Sequence, residues 1–390
     1  MLSAQSFLAL LQSFLMKRRR SGSPFPQMPL EEELFGRQSW GEVASAEDVY
    51  AVLKDMRAML FHGDRDRETA DVPAATERIA STAQSLLEEW LTTSRNITFF
   101  TSGSTGIPKA CTHSAQMLEQ EAEFLKPYFE GRTGILSVVP AHHLYGFTFG
   151  VYLPAFCDIP VRRTIALPHV VTSALRDGDA VIGLPLLWEA LTRLGADVSG
   201  RNVLAVSATA PITSNTLFGL EQAGFTIADI FGSSETGVAG IRVASDEPYL
   251  LSSYFLRAGS EQLERLLPDG CRETVRLEDN VEWHGNRHFL PSGRRDKAVQ
   301  VGGVNVYPAR VAEKIKSLPE VADCVVRLMR PEEGNRLKAF IIPVREEEIP
   351  ILQHSLRRRL KKLLTAEECP ASFSFGSVLP RNSMNKLADW

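Results

Sequence analysis

Residues 100–109 read FTSGSTGIPK, and the meaning of the rest of the chain depends on this stretch. Gly103 and Gly106 let the backbone come close to a phosphate and turn its N–H groups towards it. The hydroxyls of Thr101, Ser102, Ser104 and Thr105 add donors, and Lys109 adds a positive charge. The preceding residues 96–101 (NITFFT) have the composition of a β-strand and supply a rigid base. The spacing is not that of the P-loop G-x4-G-K-[ST], because Gly106 follows Gly103 by three residues and Lys109 follows Gly106 by three. The chemistry implied is phosphate binding by a loop of a different design.

Outward from this loop the chain alternates short apolar runs with helical patterns. Strands are expected at 133–139, 179–184, 202–207 and 226–231, with helices at 114–129 and 185–194 among them. Such alternation predicts an α/β fold with mostly parallel sheet flanked by helices. Ligands of such sheets bind in the loops beyond the strand carboxyl ends, so chemistry should collect after residues 101, 139, 207 and 231. A second, small α+β unit is expected from about 294, with helices at 308–317 and 350–364 and strands at 321–329 and 337–344.

Further stretches follow in order: PAHHLYG (140–146), SATAP (207–211), FGSSETG (231–237), GRRD (293–296), VQVGGVNVYP (299–308) and LPRNSMNK (379–386). A carboxylate such as Glu235 beside a polyphosphate suits Mg²⁺, a hard cation that prefers oxygen ligands. The same Ser-x-Glu pattern also suits a helix N-cap. Together with TSGSTGIPK, these stretches resemble the adenylate-forming enzymes, which include acyl- and aryl-CoA ligases, luciferases and adenylation domains of peptide synthetases. The resemblance spans roughly 96–390 and implies a large domain over 1–293 with its first part (1–95) shortened, a hinge at 294–297, and a small mobile lid over 298–390.

The resemblance also assigns roles. Thr101, Ser102, Gly103, Ser104, Thr105, Gly106 and Lys109 would hold ATP phosphates. Ala208, Phe231, Gly232, Ser233 and Ser234 would line the nucleotide, with Phe231 flanking adenine, and Glu235 would hold Mg²⁺. Asp279 would bind the ribose hydroxyls, with Glu278 as its competitor because the usual TGD triplet is absent. Arg294 would contact ribose or phosphate, and Asp296 would be the pivot. His143 would lie near the acyl carboxylate, with Tyr145 and Gly146 in the acid pocket. Lys386 would be the catalytic lysine. The sequence departs from the family pattern at Ala110 and Cys111, at Ala208 for glycine, at Ser234 for threonine, at Gln300 for lysine, at Ala312 for glutamate and at Asn385 for glycine.

The implied activity is ATP-dependent conversion of a carboxylic acid to acyl-AMP with release of pyrophosphate, then thioester formation with CoA. Tyr145 and the LPRNSMNKLADW ending are similar to compact bacterial 4-coumarate–CoA ligase-like and aryl-polyene aryl-acid ligase-like members, so the acid expected is 4-coumarate or another 4-hydroxyaryl acid. Two alternatives stay open: an acyl carrier protein as acceptor, addressed by the basic run Arg357–Lys362, and a family member that binds nucleotide or ligand without catalysis.

Composition fits these readings. The 390 residues are too many for one ordinary core. With 44% apolar residues, 23% charged residues and a net charge of −4, nothing points to a nucleic-acid partner. The five cysteines lack metal-ligand spacing and read as free thiols of a cytoplasmic protein. Residues 2–16 have helical apolar spacing followed by basic Lys17–Arg20, an order opposite to a secretory signal and too short to span a bilayer. They are expected to form an amphipathic helix on the body, the alternative being contact with a membrane surface. Residues 20–32 read as a linker.

Overall fold

A computed structural model describes residues 2–19, 32–68, 71–101, 109–295, 298–302, 304–330, 333–345, 347, 349–380 and 390. The chain divides into two compact units, Met1–Ser292 and Gly293–Trp390. Asp296, Gly303, Asn385, Lys386, the loop 102–108 and the expected linker at 20–31 lie outside the described residues.

The first unit begins with helices α1 (Ala4–Arg19), α2 (Glu32–Arg37), α3 (Trp40–Val43), α4 (Ala46–Leu60), α5 (Arg65–Glu68) and α6 (Ile79–Leu91). In α4, Ser45 caps the amino end by accepting the Asp48 N–H, and the buried residues Val49, Val52, Leu53, Met56 and Leu60 repeat at helical spacing. The first helix differs from expectation. It is buried on every side, from Phe7 to Leu15, because α2, α4 and α6 pack around it. Its apolar residues are therefore part of the core and not available to a membrane surface.

Strands β1 (Ile97–Thr101) and β2 (Lys109–His113) form an antiparallel pair. The sequence placed the first of these at the head of the parallel series; instead it folds back on the residues that follow the phosphate loop. After α7 (Ala115–Leu125) come β3 (Gly134–Ser137), α8 (Leu144–Phe147), a π-helical turn (Thr148–Tyr152), α9 (Leu153–Cys157) and β4 (Val161–Arg163). The series continues with α10 (Pro168–Ala174), β5 (Asp179–Gly183), α11 (Pro185–Arg193), β6 (Leu204–Ser207), α12 (Ser214–Gln222), β7 (Thr226–Ser233), β8 (Gly237–Arg242) and β9 (Tyr249–Leu251). A three-stranded sheet of β10 (Phe255–Arg257), β11 (Gln262–Leu266) and β12 (Arg272–Arg276) precedes β13 (Asp279–His284) and β14 (His288–Arg294).

The main sheet has the order β13-β14-β9-β8-β7-β6-β5-β3-β4. From β4 to β7 neighbouring strands are parallel, as expected, and from β7 through β8 and β9 to β14 they are antiparallel. The central parallel strands β3, β5 and β6 are apolar along most of their length because both faces are covered. Ile135, Ile182, Leu204 and Val206 meet Leu125, Phe129, Phe149 and Leu153 on one face. The alternating residues Leu136, Val181, Val203 and Ala205 meet Val171, Trp188, Leu191 and Leu217 on the other.

The second unit has a hairpin of β15 (Val299–Val301) and β16 (Val304–Val306), then α13 (Pro308–Lys316), β17 (Val321–Leu328), β18 (Leu337–Pro343), α14 (Ile349–Leu360) and β19 (Ser372–Phe375). Strand β19, not anticipated from the sequence, pairs parallel with β18, and β17 pairs antiparallel on its other side. Ala312 is a core position of this unit, so the smaller residue there is a packing choice. Gln300 is half-buried and bonds the Asn305 side chain across the hairpin.

Candidate active site

The phosphate loop is closed at its base by the pairing of Thr101 with Lys109 across β1 and β2. Lys109 therefore stands where the chain emerges from residues 102–108, and its Nζ donates to Glu235 Oε1 at 2.8 Å. The Glu235 carboxylate is held below its ordinary range. Burial opposes its charge, but the hydrogen bond and charge of Lys109 and a backbone N–H outweigh that effect. Lys109 is correspondingly raised, first by its bond to Glu235, with a further contribution from the charge of Glu278. The two groups are thus ionised together, and the turn that precedes Asp279 lies within electrostatic reach of Lys109.

Residues 233–237 are a turn between antiparallel strands, not a helix start: Ser233 pairs with Gly237 across β7 and β8. The Ser233 N–H donates to Thr236 Oγ1 at 2.9 Å, and the Thr236 N–H returns to Ser233 Oγ at 3.3 Å. The capping chemistry of the Ser and Thr hydroxyls is therefore used within a hairpin. Gly237 has φ +66°, and a Cβ there would stand 2.2 Å from Glu121 Oε2, so only glycine fits.

Beneath this turn lies a buried polar floor. Glu121 of α7 is 1% exposed, accepts the Val238 N–H at 2.9 Å on one oxygen and the Thr148 hydroxyl at 3.1 Å on the other. Arg265 of β11, also 1% exposed, donates to Met117 O at 2.9 Å and lies 4.7 Å over the Tyr254 ring. His113, at the end of β2, donates from Nε2 to Ser234 O at 2.7 Å. Burial pushes the His113 imidazole below its ordinary value, against the raising influence of Glu121, and keeps it neutral. Thus the strand that carries Lys109 is tied through His113 to the turn that carries Glu235. Sequence reasoning missed these three residues. One signal was present: Glu121 occupies the apolar stripe of α7 with Leu118, Ala122 and Leu125.

On the acid side, residues 140–146 fold over the carboxyl ends of β5 and β6. The Tyr145 hydroxyl reaches Gly183 O at 3.0 Å and Val206 O at 2.9 Å. Burial, with the charge of Asp229, pushes this phenol well above its ordinary value, so it stays protonated. The sequence left open whether its partner is a substrate; the structure supplies two backbone carbonyls. His143 begins α8 as an exposed residue whose carbonyl accepts the Phe147 N–H at 2.8 Å. Gly146 is required here, since a Cβ would meet Pro140 O at 2.0 Å.

Ala208 is buried beside the end of β6, and the left-handed backbone of the 207–211 turn falls on Thr209, at φ 75°, instead. Replacement of glycine at 208 is therefore accommodated without strain there. Phe231 is half-buried and meets Phe289 edge-on at 5.0 Å, and Asp279 opens β13 half-buried. Arg294 ends β14.

Among the described residues no group of three or more His, Cys, Asp or Glu residues is arranged to hold a metal ion. A single ionised carboxylate at a phosphate loop suits Mg²⁺, which keeps several waters and takes its remaining ligands from substrate phosphates. The cysteines are free, and burial pushes the Cys111 thiol up to about 11. No described helix is long and apolar enough to cross a membrane.

The AMP-binding enzyme family matches residues 51–254. The chain is 36% identical over 315 residues to a 4-coumarate–CoA ligase of Halorhodospira halophila, covering 80% of each protein. It is 35% identical over 299 residues to a 4-coumarate–CoA ligase of Cereibacter sphaeroides, covering 75% of this chain and 70% of that relative. Among solved structures, the amide bond synthetase McbA from Marinactinospora thermotolerans superposes with a TM-score of 0.60 at 18% identity, over 74% of this chain and 67% of that one. With the family match over 51–254 and 36% identity across 80% of a relative, this chain belongs to the AMP-binding enzyme family.

Proposed function

We propose that this protein converts a 4-hydroxyaryl carboxylic acid, with 4-coumarate as the leading candidate, to its CoA thioester in two steps. In the first, a carboxylate oxygen attacks the α-phosphorus of ATP and pyrophosphate leaves with the electrons of the broken P–O bond. In the second, the CoA sulfur attacks the acyl carbon, its proton is lost, and AMP departs. The observation that carries this reading is the Lys109–Glu235 pair at 2.8 Å where the chain emerges from residues 102–108. The identity to two 4-coumarate–CoA ligases supports the choice of acid and acceptor.

Phosphoryl-centre displacement needs positioning and charge stabilisation more than covalent chemistry. The loop 102–108 holds the β and γ phosphates, Lys109 neutralises part of their charge, and Glu235 holds Mg²⁺, which supplies further neutralisation when bound. Phe231 flanks the adenine, Asp279 takes the ribose hydroxyls, with Glu278 as the neighbouring carboxylate, and Lys386 places a positive charge on the α-phosphate and the attacking carboxylate. His143 orients the acid. Tyr145 donates its single proton to backbone, so towards a substrate phenol it acts as an acceptor. That chemistry favours a free 4-hydroxyl over a 4-methoxy group.

The carrier-protein acceptor has weaker support, because the basic helix is partly committed internally: Arg359 pairs with Glu320 at 2.7 Å and Arg357 donates to Ala371 O. Turnover of an aryl-acid panel with CoA and with a holo carrier protein tests the proposal. It predicts thioester with CoA and a 4-hydroxyaryl acid. Turnover only with the carrier overturns the acceptor, and no turnover with any acid favours a non-catalytic binder.

A further inference from the structure

We propose that Ser13 and Phe14 of the N-terminal helix α1 are positioning residues for His143, acting through His142. The inference rests on the proposed function and deepens it, since it names what orients the histidine beside the acid.

Ser13 lies 129 residues from His142 in sequence, yet its Oγ is 2.8 Å from His142 Nδ1. The same oxygen accepts the His142 backbone N–H at 3.4 Å. One hydroxyl thus grips both the backbone and the ring of His142 and sets the rotation of the imidazole. Phe14, the next residue, stacks on that ring with centroids 5.1 Å apart and planes 25° from parallel. His142 in turn meets His143 at 4.3 Å. Ser13 is 7% exposed and lies between Leu10, Leu11, Phe14 and Leu15 of the core, so its hydroxyl is poorly explained by packing. Alanine would favour the helix more and would bury no hydroxyl. The contact that the hydroxyl makes is to His142.

The arrangement also explains why α1 is enclosed on every side. A surface helix could rock; one packed among α2, α4 and α6 presents Ser13 and Phe14 at a fixed place. The same apolar layer includes Phe99 of β1 and Phe147 of α8. The loop bearing His143 is therefore braced from α1 at His142 and from the helical layer at Phe147.

The test is a double-mutant cycle on the full chain, with a spectroscopic readout beside it. Ser13→Ala is expected to lower kcat/KM for the acid in ATP–pyrophosphate exchange by about tenfold, leaving KM for ATP unchanged and lowering the melting temperature by no more than about 4 °C. Ser13→Thr, which keeps the hydroxyl, is expected to restore it, and Phe14→Leu to cause a smaller loss. In a His143→Ala background, Ser13→Ala should add nothing. NMR of labelled histidines should show the imidazole resonances of both His142 and His143 shifted by Ser13→Ala. Additive losses in the cycle, or an unshifted His143, overturn the proposal. Absence of exchange by the wild type with every acid overturns the proposed function instead, and the His143 resonance then decides the positioning contact by itself.

Discussion

On the nucleotide side of the site, Lys109 and Glu235 meet over a floor holding buried Glu121, Arg265 and His113. On the side proposed for the acid, Tyr145 meets two backbone carbonyls, and Ser13 and Phe14 hold His142, whose ring meets His143. The first half is fixed by the Lys109–Glu235 ion pair and by polar side chains at 1–2% exposure, whose hydrogen-bond partners cannot be removed without leaving a buried group unpaired. The second is fixed by neutral contacts, each contributing about 1 kcal/mol. The half proposed for phosphate should therefore resist substitution, and the half proposed for the acid should be retuned by single changes.

This contrast can be broken at several points. The largest effect is expected at Glu235. Glu235→Gln keeps the shape and removes the charge that pairs Lys109 and suits Mg²⁺. Exchange should fall by about 10²- to 10³-fold and the Mg²⁺ requirement should rise, as read by metal titration. Unchanged Mg²⁺ dependence would remove Glu235 from the metal site.

Next is Glu121→Ala, which strands the Val238 N–H and the Thr148 hydroxyl in the core. A loss of about 2 kcal/mol in denaturant unfolding is expected, at the scale of leaving buried donors without their acceptor. A loss below about 1 kcal/mol would mean that the floor is not the rigid half.

His113 gives a pH signature. Its folded-state imidazole titrates below the unfolded value. Below the unfolded value the unfolded chain therefore binds more protons than the folded one, and stability falls as pH drops through that range. His113→Gln keeps an N–H donor for Ser234 O and removes the titration. Stability measured between pH 7 and roughly 5 should slope less in this variant than in the wild type.

On the acid side, Tyr145→Phe is expected to leave exchange with cinnamate nearly intact and to reduce preference for 4-coumarate by about tenfold. An equal loss with both acids would make Tyr145 a packing residue only.

The same contrast governs what the sequence revealed. The central parallel strands were legible because burial on both faces leaves an apolar run, as in 180–183. The motif stretches stood out because they combine glycines, hydroxyls and charges at close spacing. The β1–β2 hairpin was not, since its partner strand, KACTH, is short, half-exposed and has no apolar alternation. The enclosure of α1 was hidden because helical periodicity reports one apolar stripe and says nothing of helices packing on the others. Glu121 and Arg265 were hidden because their value lies in contacts far apart in sequence. The left-handed backbone at Thr209 was hidden because a β-branched residue gives no local sign of it.

The central claim, that the Lys109–Glu235 pair serves the activation of an aryl acid, is tested most directly by a single-turnover reaction without CoA. Enzyme, 4-coumarate, Mg²⁺ and ATP labelled at the α-phosphate are mixed, and the quenched products are resolved. The account predicts coumaroyl-AMP and pyrophosphate in equal amounts, dependent on the acid, with formation collapsing in Glu235→Gln. Label appearing only as unreacted ATP, or coumaroyl-AMP formed equally well by Glu235→Gln, would contradict it.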